Sequence, residues 1–584
     1  MVLKNNMKKI ASHLLVALLA VGLAGCGGDN NSVIGGGSNT GKPSEPGTSN
    51  PGKPSEPGTS NPGTSNSVKP SEPGTSQTPS NSSEQAPTID KDSILDQFDF
   101  DLEVDDGEPV FEEEIVIKVW SINGDPDKAV QQKLFAAFNE QYLGAIRIEY
   151  NHIGHFDFYS SLDTTWMTDR ESIPDILFMH NEKTIQYAAK EYMWPLDPFF
   201  GDDVTGVEFD FSQTYKNIDR VTKWNGNRYA IPVDAHGFLT SIRQDIIKKN
   251  GLGFDDNTRF VPESRAEYQS LLEGLRAKAD AGDLWIRDLN KGSDHSWKKA
   301  NAGSFYPEFM QSTDPDGLSA LYANGGTLAS EDQTKVTYHE NKGFQTYLTD
   351  QVDRYNNRLM GDGTNTAMFG LGNTVMFSEG PWYLSMQYDK MWNNAELTRA
   401  GQLGVTAEDA ADPIYSRPYI ASHPQNWWTL EENMSEENDG KWYGNGHAIS
   451  VTRNVTSLAK MAACLEFARW YTQGADYNDD SKNNLTTWCA SGHIPAWKNI
   501  YESEHYQAEL ADNMTLRALG DPADIMAMEG LRYETNFFDG LGTACSTAQT
   551  AMKNGGATHE SVLKILRDGA ESLQTMIDFL ITQS

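Results

Sequence analysis

Cysteine, positive charge and long apolar runs are all scarce in this 584-residue chain. The four cysteines are Cys26, Cys464, Cys489 and Cys545, and they form no CxxC zinc pattern. Lysine and arginine total 47 against 82 aspartates and glutamates, a formal net charge of −35. A chain this acidic repels phosphate backbones, so nucleic acid is excluded as a partner. The apolar run Ile10–Leu23 falls short of the roughly 20 residues that span a bilayer, and no later run is longer. GxSxG, HExxH and phosphate-loop motifs are absent, so no ready-made catalytic signature is present.

What is there begins with a processing signal. Lys4, Lys8 and Lys9 precede the short apolar run, which ends in Leu23-Ala24-Gly25-Cys26. This resembles the bacterial lipobox, which implies cleavage after residue 25 and a diacylglycerol on the Cys26 thiol. Loss of residues 1–25 removes three lysines and no acid, taking the charge from −35 to −38. Three cysteines then remain. An odd number cannot pair internally, which leaves either a Cys464–Cys489 bridge or buried free thiols. The sequence GKPSEPGTSNP at 41–51 recurs at 52–62, and KPSEPGTS returns at 69–76. Without large apolar residues this repeat cannot offset its own ordering entropy, so residues 26–92 read as the lipidated cysteine and a tether. About 66 residues reach about 45 Å as a flexible coil and about 200 Å as extended polyproline. Residues 93–114 are an acidic, solvated lead-in.

The folded region reads as 115–584. Ile115-Val116-Ile117-Lys118-Val119-Trp120 predicts a parallel strand buried on both faces. Asp125-Pro126 open a helix on which Val130, Leu134 and Phe138 share one face. Ile146, Ile148 and Tyr150 alternate as a second strand. A helix near 159–167 leads through Pro174-Asp175 to a third strand, Ile176–Met179. This alternation implies right-handed crossovers and an open α/β sheet. Asn225-Gly226 signals a hairpin before Tyr229–Asp234. Later, Leu458, Met461, Leu465 and Ala468 mark one helix, and Val562 to Ile577 an amphipathic end. About 490 folded residues exceed one core, so two lobes are expected.

The motif order resembles the family 1 extracellular solute-binding proteins, the carbohydrate-capturing lipoproteins of bacterial ABC importers. The stretches that carry it are IKVWSINGDPDKAVQQKLFAAFNEQY, IPDILFMHNEKTIQYAAKEYMWPLDPFF, NGNRYAIPVDAHGFLTSIRQDIIKKNGL, LYANGGTL, NTVMFSEGPWYL, GHAISVTRNVTSLAKMAACLEFARWYTQ and SGHIPAW. Each is weak alone; together they run in order from about 115 to 580. Ser172-Ile173 stand where the family usually has Gly before Pro-Asp, and 403–450 holds an insert-like stretch. The resemblance implies a class II periplasmic-binding-protein-like α/β fold. Its two lobes are discontinuous in sequence, each an open, mostly parallel sheet flanked by helices, and they hinge closed on a sugar.

Candidate ligand-binding residues follow strand ends. They are Asn123 and Asp125 after the first strand, His180 and Asn181 after the third, and Asp234 and His236 after Ile231-Pro232. For Asp125 the alternative is a plain helix cap. Trp382 follows the breakers Gly380-Pro381 and offers an indole face to a sugar ring, the alternative being a core residue. Trp427 and Trp442 lie in the insert-like stretch; Trp427 and Trp428 are adjacent, so only one of them can stack on a ring. The residues 476–484 are Asp- and Asn-rich but have Ser481 and Thr487 where a calcium loop needs Gly and Glu. No catalytic residue, metal or cofactor is assigned. The expected function is a monomeric, lipid-anchored protein on the outer face of the cell membrane. It captures a sugar or oligosaccharide and delivers it to an ABC permease. The alternatives on the same tether are a glycan-degrading enzyme, which needs two carboxylates about 5–9.5 Å apart, and a glycan sensor or adhesin.

Overall fold

Two five-stranded sheets organise the chain, and the sequence passes between them more than once. The computed structural model describes residues 90–583, apart from 125–126, 310–312, 362–365, 407–409, 477–478 and 520–525. The expected signal, Cys26 and the repeat tether lie outside the described residues, as does Asp125.

In the first sheet Ile115–Ser121 runs parallel to Ile146–His152 and to Ile176–His180. His447–Val451 then pairs antiparallel to Ile176–His180, and Ile231–Pro232 forms the edge. The helix Asp127–Gln141 buries Leu134, Phe135 and Phe138, as its four-residue spacing requires. Phe138 meets Trp470 edge-on at 5.2 Å, joining it to the helix Leu458–Gln473. In the second sheet the order is Met360–Gly361, Glu308–Phe309, Met376–Glu379, Leu239–Ile242 and Ile420–Ser422. The helices Arg265–Asp280, Lys342–Asn356, Glu534–Lys553 and His559–Gln583 supply the apolar core of this lobe. Ser264 and Asn341 cap the first two by accepting from the backbone N–H groups of Glu267 and Phe344.

Several expectations meet a different outcome in detail. Each sheet has two parallel and two antiparallel pairings, because strands that enter after a lobe change run against their neighbours. The first strand is not buried on both faces: Ile117 and Val119 are buried but Lys118 is exposed. The acidic lead-in is tied down rather than free. Its Phe98 is buried against Trp194 and Phe199, at 5.0 and 4.7 Å, and Asp101 accepts from Ser457 and from the Ala459 backbone. Cys464, Cys489 and Cys545 are all buried and outside any disulfide, which removes the Cys464–Cys489 bridge. Side chains of 475–482 lie outside the described residues.

Behind the second sheet, Arg243, Asp245 and Arg287 are fully buried together. Asp245 accepts from Arg243 Nε at 2.9 Å and Nη2 at 3.0 Å, and from Arg287 Nε at 2.9 Å. The spare guanidinium donors reach the carbonyls of Phe369, Arg287 and Leu403. Burial pushes the Asp245 carboxyl up, but the two guanidinium charges outweigh it and hold the pKa below the ordinary value. Asp245→Asn leaves two buried cations without their counter-charge and is expected to cost about 3–5 kcal/mol. A depressed folded pKa means stability present above the ordinary carboxylate range and lost as pH falls. Urea unfolding of both proteins from pH 7 to pH 3 should show the wild-type advantage shrinking toward acid.

Candidate functional site

The first passage between lobes carries its chemistry on three successive turns of extended chain. Asp234–Ala235 pairs antiparallel with Ile494–Pro495 in the first lobe. One residue on, His236 pairs with Asn445, each backbone N–H donating to the other's carbonyl at 2.8 and 2.7 Å. The outgoing chain at 236–238 and the returning chain at 442–446 therefore run side by side. Gly237 permits this closeness: a Cβ there would lie 2.4 Å from the Trp442 ring. Trp442–Tyr443 pairs in turn with Met526–Ala527, on the third passage.

This arrangement gathers four buried side chains: Asp234, His236, His447 and His493. Asp234 accepts from the His447 backbone N–H at 3.0 Å, from Trp488 Nε1 at 2.5 Å and from His447 Nδ1 at 2.9 Å. His236 Nδ1 lies 3.6 Å from Asp234 Oδ1, beyond hydrogen-bonding reach. His493 pairs its Nδ1 with the Ser491 hydroxyl at 3.1 Å, while its Nε2 stands 3.7 Å from Asp127 Oδ2. Burial pushes the Asp234 carboxyl up, but the His447 charge and the surrounding imidazoles hold it well below the carboxylate range. Burial lowers His447 too, yet the Asp234 charge wins and raises it. His236, and more strongly His493 and His180, are pushed down, chiefly by burial, which keeps them neutral.

Trp382 reaches this cluster from the second lobe. The strand Met376–Glu379 ends at Gly380, and Pro381 takes the first position of the helix Pro381–Tyr388. The indole folds back over Gly380, where a Cβ would lie 2.3 Å from its ring. That is the physical reason for the breakers: they turn the chain and leave room for the ring. Trp382 is half-buried, meets the His236 ring edge-on at 5.0 Å and lies near-parallel to the His493 ring at 6.4 Å.

The structure brings together Asp234, His236, Trp382, His180 and Asn181. The His180 ring is 5.3 Å from that of His447 and 6.3 Å from that of His236, and Asn181 is buried with its Oδ1 unpartnered. Asn123 is buried beside them in the first lobe, bonded to Ser121 Oγ. Two tryptophans stand elsewhere. Trp427 is fully buried in the second-lobe core, stacked on Tyr268 at 4.9 Å, with its Nε1 donating to the Pro262 carbonyl. Trp442 is fully buried at the passage, stacked on His423 at 5.4 Å. Neither presents a free face, so they wedge the passage and the core. Sequence reasoning missed His447, His493 and Trp488. A signal was present: each of the three clustered histidines adjoins a glycine, in His236-Gly237, Gly446-His447 and Gly492-His493.

The rim of the site joins the lobes through Glu182, Lys183 and Glu534. Lys183 Nζ contacts Glu534 Oε2 and donates to Thr535 Oγ1 at 3.0 Å, and Asn445 donates to Glu182 Oε1 at 3.0 Å. Burial and then the Glu534 charge push the Glu182 carboxyl up to about 8, against the pull of Lys183. A raised carboxyl pKa means the folded state binds the extra proton, so stability falls as pH rises from about 4.5 to about 8. Glu182→Gln should flatten that slope. Its chemical-denaturation midpoint should exceed wild type at pH 8.5 and match it at pH 4.5.

No family model matches the chain, and no curated protein matches it in sequence. Solved structures do match. MalE, a sugar-binding protein of Xanthomonas citri, superposes with a TM-score of 0.57 at 13% identity, covering 80% of this chain and 100% of its own. The GacH receptor of Streptomyces glaucescens, described with acarbose, gives 0.55 at 15% identity, covering 79% and 99%. UgpB of Mycobacterium tuberculosis, in complex with glycerophosphocholine, gives 0.56 at 13% identity, covering 80% and 99%. The chain therefore has the two-lobed α/β fold of these binding proteins, the fold its motif order resembles.

Proposed function

We propose that this protein captures a neutral sugar or oligosaccharide between its lobes and releases it unchanged to the permease of an ABC importer. The observation that carries the reading is Trp382, an indole held by one lobe against the polar floor of the other. A sugar ring has an apolar C–H face and an equator of hydroxyls. The indole suits the first, while His180 and Asn181 offer neutral hydrogen-bonding groups for the second. Buried polar groups discriminate because one left unpaired costs about 1–3 kcal/mol.

Charge argues against a phosphodiester guest of the UgpB type. The nearby cations are engaged: Lys183 with Glu534, and Arg220 with the Met528 carbonyl. In this reading Cys26 carries the lipid, residues 27–92 form the tether, and the monomeric binding body works outside the cell membrane. Binding without bond cleavage fits the neighbours, which are binding proteins.

Isothermal titration against neutral malto-, manno-, xylo- and gluco-oligosaccharides, with chromatography of the recovered sugars, tests this. Saturable binding with every sugar recovered intact is expected; cleaved sugar would make the chain an enzyme. Removing about 80 Å² of indole face at about 25 cal/mol per Å² removes about 2 kcal/mol. Trp382→Ala should therefore weaken Kd by about thirtyfold. An unchanged Kd with a lowered Tm would place that ring in a purely structural role.

A further inference from the structure

The floor of the cleft holds a donor set that a neutral sugar does not need. Asp234, His236, His447 and His493 come from three separate segments, and one donor atom from each lies within 4.8 Å of all the others. All four are buried, at 0 to 4% exposure. Two imidazole nitrogens inside this cluster, His236 Nδ1 and His493 Nε2, are buried without a hydrogen-bond partner. Leaving such groups unsatisfied costs free energy, so their persistence calls for a ligand.

We propose that these four residues form a binding site for a zinc-class divalent transition-metal ion. Three imidazoles and one carboxylate suit zinc, cobalt or nickel; magnesium and calcium require mostly oxygen donors. Tetrahedral bonds of about 2.0–2.2 Å place neighbouring donors about 3.3–3.5 Å apart. With Asp234 Oδ1 as the donor, the separations to His447 Nδ1 and His236 Nδ1 are 3.1 and 3.6 Å, on either side of that spacing. The proton held between Asp234 and His447 leaves to solvent as the ion enters.

The supporting shell is already built. Trp488 Nε1 and the His447 backbone N–H fix the Asp234 carboxylate, and the Ser491 hydroxyl holds His493 Nδ1, leaving Nε2 without a hydrogen-bond partner. Such outer partners orient ligands and set their tautomers. Four protein donors close a tetrahedral shell, so the ion ties chain segments together rather than polarising a guest. It joins residues 234–236, leaving the first lobe, to His447, where the chain returns, and to His493 beneath Trp382. The result is a stiffened passage and a pre-ordered cleft floor.

The test uses the full chain, stripped with chelator, incubated with zinc chloride or cobalt chloride and desalted. One zinc per chain is expected, with visible cobalt bands of tetrahedral intensity. X-ray absorption of the zinc form should show a shell of three nitrogens and one oxygen at about 2.0–2.2 Å. His236→Ala and His493→Ala should each weaken zinc binding by more than about 100-fold, beyond the loss caused by an outer-shell change. His559→Ala, at an exposed histidine paired with Asp353, should leave binding unchanged. No stoichiometric zinc, an all-oxygen shell, or binding that survives the His236→Ala/His493→Ala pair overturns the proposal. Should those variants fail to fold, the absorption spectrum of the unsubstituted chain decides alone.

Discussion

A single buried carboxylate holds the passage between the lobes in place. Asp234 is fully buried, and an ionised carboxylate in that position is tolerated only if donors surround it. Those donors come from distant sequence: the backbone and ring of His447, 213 residues on, and the indole of Trp488, 254 residues on. Satisfying the charge therefore pins the outgoing strand to the returning strand and to the segment before Ile494–Pro495. The reciprocal backbone pair between His236 and Asn445 follows from that register, as does the meeting of Gly237 with the Trp442 ring.

The proposed site is arranged around this pin. The first lobe contributes the floor of imidazoles and amides, and the second contributes an indole whose helix starts at the end of a sheet strand. The rim is closed by contacts between the helix Glu534–Lys553 and the segment 182–186: Lys183 with Glu534, and the Thr535 backbone N–H with Gln186 Oε1 at 2.9 Å. These rim contacts are polar, and apolar packing also joins the two sheets, with Leu239, Phe377 and Leu384 in one buried cluster with Ile117, Val119 and Phe178.

Much of the fold was legible in the sequence, because strand and helix periodicity is a local property. Ile115–Ser121, Ile146–His152 and Ile176–His180 fall where alternating and continuous apolar runs place them. Asn225-Gly226, both at positive φ, makes the hairpin its dipeptide signals. Sheet order was not legible: His447–Val451 enters beside Ile176–His180 from 267 residues away, which no local pattern encodes. The site was half legible. Asp234, His236 and Trp382 were singled out by their position at strand ends, and the structure brings them together. His447 and His493 also flank strands, but they join the cluster only where the outgoing chain, the returning chain and the segment before Ile494–Pro495 meet. Trp427 misled because an aromatic pair in a polar stretch looks exposed, whereas the insert folds back and completes the second-lobe core.

The proposed guest site spans both lobes at the Asp234–His236 passage. Hydrogen–deuterium exchange with and without a saturating neutral oligosaccharide addresses it most directly. Protection should rise together in 230–240, 376–386 and 442–497, drawn from both lobes and from two passages. Protection confined to one lobe, for instance around the buried Tyr268, Glu308 and Arg354 cluster, would contradict it.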